Sequence, residues 1–258
     1  PSIICPSCNA PAMKFIGFGT EKVEKQIQAI FPQARTARLD SDTVKKKGVL
    51  EKVCQDFHER KTDILIGTQM IAKGLHFEGV TLVGVLSGDL SLNLPDFRAG
   101  ESTFQLLTQV AGRAGRGDIS GEVIIQTHAP RHPVFHYALT HDYKAFYEYE
   151  ITLRRSLKYP PFSRFILVTI SHSKEKIARD NAQWIYERFQ NAIKDKNVQI
   201  SIPHPAPIEK IKTLFRFQIL VVTQKIKQHV FLLQQLMRSG DASLQRSVTL
   251  DVDPYSLL

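Results

Sequence analysis

Two short stretches of this chain are almost wholly apolar, with no alternation: Asp63-Ile64-Leu65-Ile66-Gly67 and Val80-Thr81-Leu82-Val83-Gly84-Val85-Leu86. A strand with apolar residues on both faces needs cover on both faces. That requirement points to a parallel sheet between helices rather than a sheet open to water. The neighbouring segments fit the pattern. A short apolar run at 15–18 leads into helical spacing through Val23, Ile27 and Ile30, which breaks at Pro32. A strand follows at 34–39, a helix at 46–60, a helix at 101–114 and a closing strand at 122–126. Residues 15–135 therefore read as an α/β lobe.

The character changes after that. Residues 132–158 are rich in aromatic and charged side chains at helical spacing, and Tyr159-Pro160-Pro161-Phe162 stops the helix because consecutive prolines cannot continue it. Residues 165–170, 174–193, 198–202, 215–222, 226–238 and 248–252 then read as strand, helix, strand, strand, helix, strand. This β-α-β-β-α-β order suits a small α+β split β-α-β domain. Pro203-His204-Pro205-Ala206-Pro207 reads as a proline-stiffened loop. The expected domains are a remnant at 1–14, the α/β lobe at 15–135, and a C-terminal domain at 136–258 that begins with a helical linker.

Composition narrows the partner. Lys and Arg number 34 against 25 Asp and Glu, a formal charge of +9 over 258 residues. An excess of that size favours a polyanion: nucleic acid first, an acidic tail or a membrane surface second. No apolar run is long enough to cross a bilayer, and Pro1-Ser2-Ile3-Ile4-Cys5 is not a signal peptide. Starting without Met suggests an excised piece or a processed chain. Three cysteines build no disulfide framework, so a reducing cytoplasm is expected. Cys54 reads as a small buried hydrophobe. Cys5 and Cys8, in Cys5-Pro6-Ser7-Cys8, have the spacing of a zinc knuckle but supply two of the four ligands that structural zinc needs.

The sharpest string is Gln109-Val110-Ala111-Gly112-Arg113-Ala114-Gly115-Arg116-Gly117. On a helix, Gln109, Arg113 and Arg116 share a face, and Gly112 and Gly115 clear room for close approach. Two rigid guanidinium forks aimed at one point suit the charge spread over a transferring phosphoryl group. A second string, Gly67-Thr68-Gln69-Met70-Ile71-Ala72-Lys73-Gly74-Leu75-His76-Phe77, starts where a strand ends. Thr68 and Gln69 can donate to DNA phosphates there and Lys73 adds charge. Thr68 can equally cap the following helix, Lys73 can be a solvated lysine, and His76 reads as a packed side chain. Asp40 and Asp42 follow a strand, where paired acids could hold Mg²⁺; helix capping and loop solvation are preferred. Basic residues alternate with aromatics at Arg154, Arg155, Lys158, Tyr159 and Phe162, and again at Lys210, Lys212, Phe215, Arg216 and Phe217. That mixture grips single strands by stacking and phosphate contact, or is a solvated face over core aromatics.

The Gln109–Gly117 string resembles motif VI of superfamily 2 helicases, whose arginines reach the γ-phosphate of ATP held on an opposite lobe. The string at 67–77 resembles motif V of the PriA-like primosomal replication-restart helicases, and Leu94-Pro95-Asp96-Phe97-Arg98-Ala99 with Glu101 resembles the stretch preceding motif VI there. Gly19-Thr20-Glu21 and the ending Asp251-Val252-Asp253-Pro254-Tyr255 are similar to the same family, and Asp89 resembles a family aspartate, although Ser87-Gly88 departs from its more acidic setting. The resemblance covers nearly the whole chain. It implies a second RecA-like lobe followed by a C-terminal domain, in a bacterial, nucleoid-associated, cytoplasmic 3′-5′ DNA helicase that depends on ATP and Mg²⁺ and acts in replication restart and primosome assembly. Gln109, Arg113 and Arg116 would be catalytic, with Gly112, Arg113 and Arg116 against nucleotide. Thr68, Gln69 and Lys73 would meet DNA, and Cys5 and Cys8 would be the last pair of zinc ligands. Implied partners are forked and single-stranded DNA, single-stranded DNA-binding protein and other primosome proteins, with no membrane and a monomeric state. No G-x-x-x-x-G-K-[ST] loop or D-E-x-H string occurs here, so these residues alone are expected to be catalytically silent. A non-motor nucleic-acid-binding module and a primosome scaffold are the alternatives.

Overall fold

The computed structural model describes residues 19–40, 43–45, 48–72, 77, 79–112, 121–240 and 242–257. The chain divides into two compact units, residues 1–86 with 106–126, and residues 87–105 with 127–258. Helix α4 (Ala99–Ala111) is shared in sequence, 99–105 falling in the second unit and 106–111 in the first.

The first unit is built from short parallel pairs, as the apolar runs require. Strand β1 (Thr36–Leu39) pairs with β2 (Ile64–Gly67), and β3 (Leu82–Val85) with β4 (Glu122–Ile125). Helices α1 (Thr20–Ile30), α2 (Val49–His58) and the short α3 (Gln69–Ala72) accompany them. In β1 and β2 the last turn-ward apolar residues, Leu39 and Ile66, are buried. Val23 of α1 is buried as its spacing requires, whereas Ile30, at the same spacing, is exposed in the last helical turn. The expected cover on both faces is not met at β3 and β4. Their residues alternate between exposed and half-buried, with Leu82 56% and Ile124 55% exposed. The register explains part of this: Gly84 lies opposite Ile124 and offers no side chain to cover it.

The second unit closes on itself. Strands β5 (Arg164–His172), β6 (Gln199–Ile200), β7 (His204–Ile211), β8 (Leu214–Thr223) and β9 (Val248–Val252) form one antiparallel sheet in the order β6-β8-β5-β9, with β7 also on β8. Helices α5 (Pro133–Leu139) and α6 (Tyr143–Ser156) precede it; α7 (Glu175–Ala192), α8 (Ile226–Ser239) and α9 (Ala242–Ser247) are interleaved. Helix α7 buries Ala178, Ala182, Ile185 and Phe189, a stripe at 4, 3 and 4 residue steps that faces one side of the sheet. It packs in one cluster with Ile166, Val168 and Ile170 of β5 and Phe217, Ile219 and Val221 of β8. Because β5 and β8 are central, Phe165 to Val168 are buried on both faces, which explains a run with no alternation in an antiparallel sheet.

This is the expected split β-α-β arrangement with one correction. The stretch read as a proline-stiffened loop is strand β7, and the strand expected at 198–202 is only the two-residue β6. Prolines are tolerated because β7 is an edge strand that pairs at 204–205 and 210–211, with a register shift between.

One buried polar contact braces this core. His229, 2% exposed, shares a 2.7 Å hydrogen bond with the Thr223 hydroxyl, and burial holds its imidazole below the ordinary histidine pKa.

Candidate functional site

Parallel strands put their carboxyl ends on one edge, and ligands bind there. At that edge of β1 and β2 the register sets Leu39 opposite Gly67. A Cβ on Gly67 would stand 2.2 Å from the Leu39 carbonyl oxygen and 2.3 Å from Ile71 Cδ1, so only glycine allows strand and helix to come this close. Thr68 and Gln69 follow, both exposed, and the Ile71 N–H donates to the Thr68 carbonyl at 3.1 Å. Two of the three residues expected to meet DNA are thus side by side and open to solvent, while Lys73 and His76 lie outside the described residues.

Asp40 occupies the same edge and is fully engaged. Its Oδ2 accepts from the Thr20 hydroxyl at 2.6 Å and faces Arg38 Nε at 3.2 Å; its Oδ1 accepts from the Thr43 N–H at 2.9 Å. The Thr43 hydroxyl completes the turn by accepting from the Asp40 N–H at 2.8 Å. This is a capped turn tied to the start of α1, through the threonine of Gly19-Thr20-Glu21. Asp42 lies outside the described residues. Asp89, buried after β3, accepts from the His128 N–H at 3.3 Å and so ties two loops together.

Helix α4 carries the opening of the arginine string. Thr103, Phe104, Leu107 and Val110 are buried, and Gln105, Gln109 and Gly112 are exposed. The spacing predicts this division, and it turns Gln109 outward with Gly112 one turn on. Arg113, Gly115 and Arg116 lie outside the described residues, as do Cys5 and Cys8. Among the described residues no group of three or more His, Cys, Asp or Glu is placed to hold a metal ion. No helix among them is long and apolar enough to cross a membrane.

The basic–aromatic stretches of the second unit split into two kinds. Arg155 lies 4.9 Å from the Phe162 ring centre and Lys210 4.5 Å from that of Phe215, with both cations exposed. Lys158 and Lys212 are exposed, each at a left-handed turn position. Arg216 is half-buried and donates to the Ile208 carbonyl at 3.4 Å. Arg154 does not belong with them. Its side chain is 13% exposed and held between Glu101 and Glu150, at 3.0 and 2.9 Å. Spacing places Arg154 beside Arg155 on a basic stretch; the Glu150 four residues earlier is the sign in the sequence that it is paired instead.

A cluster joining residues far apart in the chain has no counterpart in the sequence reading. Asp96 accepts from the Ser256 hydroxyl and the Leu257 N–H, and Arg98 donates to the Tyr255 carbonyl. Nearby, Arg164 pairs with Asp253 and holds its carboxyl below the ordinary carboxylate range. The two strings at 94–101 and 251–255, separate in the sequence, meet within one unit.

Comparison with known proteins adds to this geometry. Residues 4–118 match the family described as helicase conserved C-terminal domain, and residues 155–255 that described as primosomal protein N C-terminal domain. The chain is similar to the replication restart protein PriA of Bacillus subtilis (strain 168), 42% identical over 257 residues that cover 98% of this chain and 32% of that protein. It is 42% identical over 253 residues to the replication restart protein PriA of Chlamydia pneumoniae, covering 98% of this chain and 34% of that one. The replication restart protein PriA of Treponema pallidum (strain Nichols) is 36% identical over 262 residues, covering 100% of this chain and 39% of that protein. The chain thus spans about a third of the length of these curated relatives.

Proposed function

Because the chain belongs to the PriA family of replication restart proteins, we propose that it forms the second motor lobe and appended domain of an ATP-driven 3′-5′ DNA helicase. That helicase would act in replication restart and primosome assembly. The observation that carries this reading is helix α4, whose buried stripe turns Gln109 outward at the head of the Gln109–Gly117 string. A glutamine and two arginines at that spacing suit stabilisation of a transferring phosphoryl group.

The work is divided between this chain and residues beyond it. The 258 residues hold no phosphate-cradling G-x-x-x-x-G-K-[ST] loop, so ATP and Mg²⁺ would be bound by another lobe and approached by Arg113 and Arg116. Thr68, Gln69 and Lys73 would meet the DNA backbone at the carboxyl edge of the parallel strands. Cys5 and Cys8 offer two thiolates, half of a tetrahedral zinc site, and the remaining ligands would come from elsewhere in the full-length protein. Zinc there would supply structure rather than chemistry. Arg155, Lys158, Lys210 and Lys212, with Phe162 and Phe215, would give the second unit its hold on single strands. The other expected partners are single-stranded DNA-binding protein and further primosome proteins.

The test uses the full-length protein. Arg113→Ala and Arg116→Ala are each expected to lower ATP turnover by about a thousandfold, the usual cost of losing an arginine that stabilises phosphoryl transfer. DNA affinity should stay near that of the parent. A variant that loses folded protein but keeps normal turnover per folded molecule would show that its arginine is structural and defeat the reading.

A further inference from the structure

Tyr255 is 84% exposed, more than any other large apolar or aromatic side chain among the described residues. On loose backbone such a ring would signal nothing. This one stands on backbone that is held on both sides of it. Before it, the Asp253 N–H donates to the Phe165 carbonyl at 2.9 Å, the Asp253 carboxylate pairs with Arg164, and Pro254 is buried. The Tyr255 carbonyl itself accepts from the Arg98 guanidinium at 3.2 Å. After it, Asp96 Oδ2 accepts from the Ser256 hydroxyl at 2.7 Å and the Leu257 N–H at 3.1 Å. Asp96 Oδ1 accepts from the Arg98 N–H at 2.9 Å, so the two residues that hold this backbone are also fixed to each other. All of these residues belong to the second unit.

The ring is also supported from behind. The Arg98 guanidinium lies over it, 4.6 Å from the ring centre, and 5.0 Å from that of Phe97. Phe97 in turn meets Tyr159 and the buried Phe165 edge-on. With one face of Tyr255 against Arg98 and the side chain 84% exposed, the other face is open to solvent. Arg98 thus brings positive charge to the ring without occupying its outer face.

A flat open ring backed by a cation matches one kind of occupant: a base with a free π-face, followed by a phosphate. Bases in a duplex hide their faces in the stack, so the fit is to a single strand. We infer that Tyr255 is a stacking platform for an unpaired base, held in place by Asp96 and Arg98. A ring already fixed by its backbone loses little freedom on binding, so the contact adds more affinity than a mobile side chain would. The platform also adjoins the nearer basic–aromatic stretch. Tyr159, which touches Phe97, follows the exposed Lys158 and precedes Phe162, the ring beside Arg155. The inference rests on the proposed hold of the second unit on single strands.

Tyr255→Leu and Tyr255→Phe in the full-length protein test it, with oligothymidine as the probe. Tyr255→Leu is expected to weaken binding by about fivefold to a hundredfold, the loss of one base stack, while Tyr255→Phe stays within about twofold of the parent. The salt dependence should be the same in all three proteins, because no phosphate contact is removed. A second measurement needs no variant. Oligothymidine carrying 5-iodouracil, irradiated on the parent protein, should form an adduct that maps to Tyr255. Absence of that adduct overturns the inference, even if Tyr255→Leu fails to fold. Equal weakening by Leu and Phe also overturns it, since the hydroxyl and not the ring would then make the contact. Joint replacement of Arg155, Lys158, Lys210 and Lys212 by alanine separates the two ideas. Parental affinity and salt dependence in that variant overturn the hold of the second unit on single strands, and the platform with it. Weakened binding there, beside normal binding by Tyr255→Leu, overturns the platform alone.

Discussion

The two units bury their apolar residues by different means. In the second unit, strands of nine and ten residues lie at the centre of an antiparallel sheet, and α7 and α8 cover one face with a single continuous cluster. In the first, every described strand is four residues long and the strands run parallel in pairs. Helix α2 buries no residue there, and Leu82 and Ile124 stand open on β3 and β4. A β-α-β-β-α-β sheet gains its core from its own crossing helices. The first unit, with its short parallel strands, keeps apolar area uncovered on its described surface. The contrast places the continuous core in the second unit and the open strand face in the first.

Substitution of the tightest core residues tests the first half of that contrast most severely. Phe189 of α7, 1% exposed, packs against the sheet and the His229 ring. Phe189→Ala is expected to destabilise the second unit by about 3–5 kcal/mol, read by chemical denaturation. A loss below about 1 kcal/mol would mean that the helix–sheet cluster is not what holds the unit together.

DNA binding sharpens the comparison at intermediate size. Replacing Arg155, Lys158, Lys210 and Lys212 together by alanine should weaken binding of this chain to a single-stranded oligonucleotide by roughly tenfold at low salt. The salt dependence should also flatten by about 0.7 in log–log slope for each phosphate that the variant no longer neutralises. Fluorescence anisotropy across a salt series measures both. An unchanged slope would leave the phosphate contacts to the first unit and overturn the proposed hold of the second unit on single strands.

The smallest effect is expected on the open face of the first unit. Leu82→Ser should change the stability of this chain by less than about 0.5 kcal/mol, because an exposed side chain has little packing to lose. A substantially larger loss in thermal denaturation would show that this face is covered in solution, and the contrast between the units would shrink.

How much of the molecule is legible in its sequence depends on the range of the interactions. The stripe at Ala178, Ala182, Ile185 and Phe189 is local, and its spacing alone places α7. The runs at 64–67 and 82–85 place strands locally, but lack of alternation does not fix their direction, since Phe165 to Val168 lacks it in an antiparallel strand. Strand β7 is hidden by Pro205 and Pro207, residues that forbid a central strand but not an edge. Gln109 and Gly112 can be put on one face by counting along a helix. The bridge from Glu101 through Arg154, 53 residues on, cannot be counted. Nor can the meeting of Asp96 with Ser256, 160 residues apart, because no period in a sequence encodes a contact made by folding.

The edge strand β7 has a consequence for the behaviour of the chain in concentrated solution. A sheet edge with free N–H and C=O groups is a template for stacking a second molecule, the first step toward fibrils. Along β7, Pro205 and Pro207 offer no N–H, and the register shift between Pro205 and Lys210 interrupts the row of hydrogen-bonding groups. The prolines that disguise this strand as a loop are also what keeps it from recruiting its neighbours.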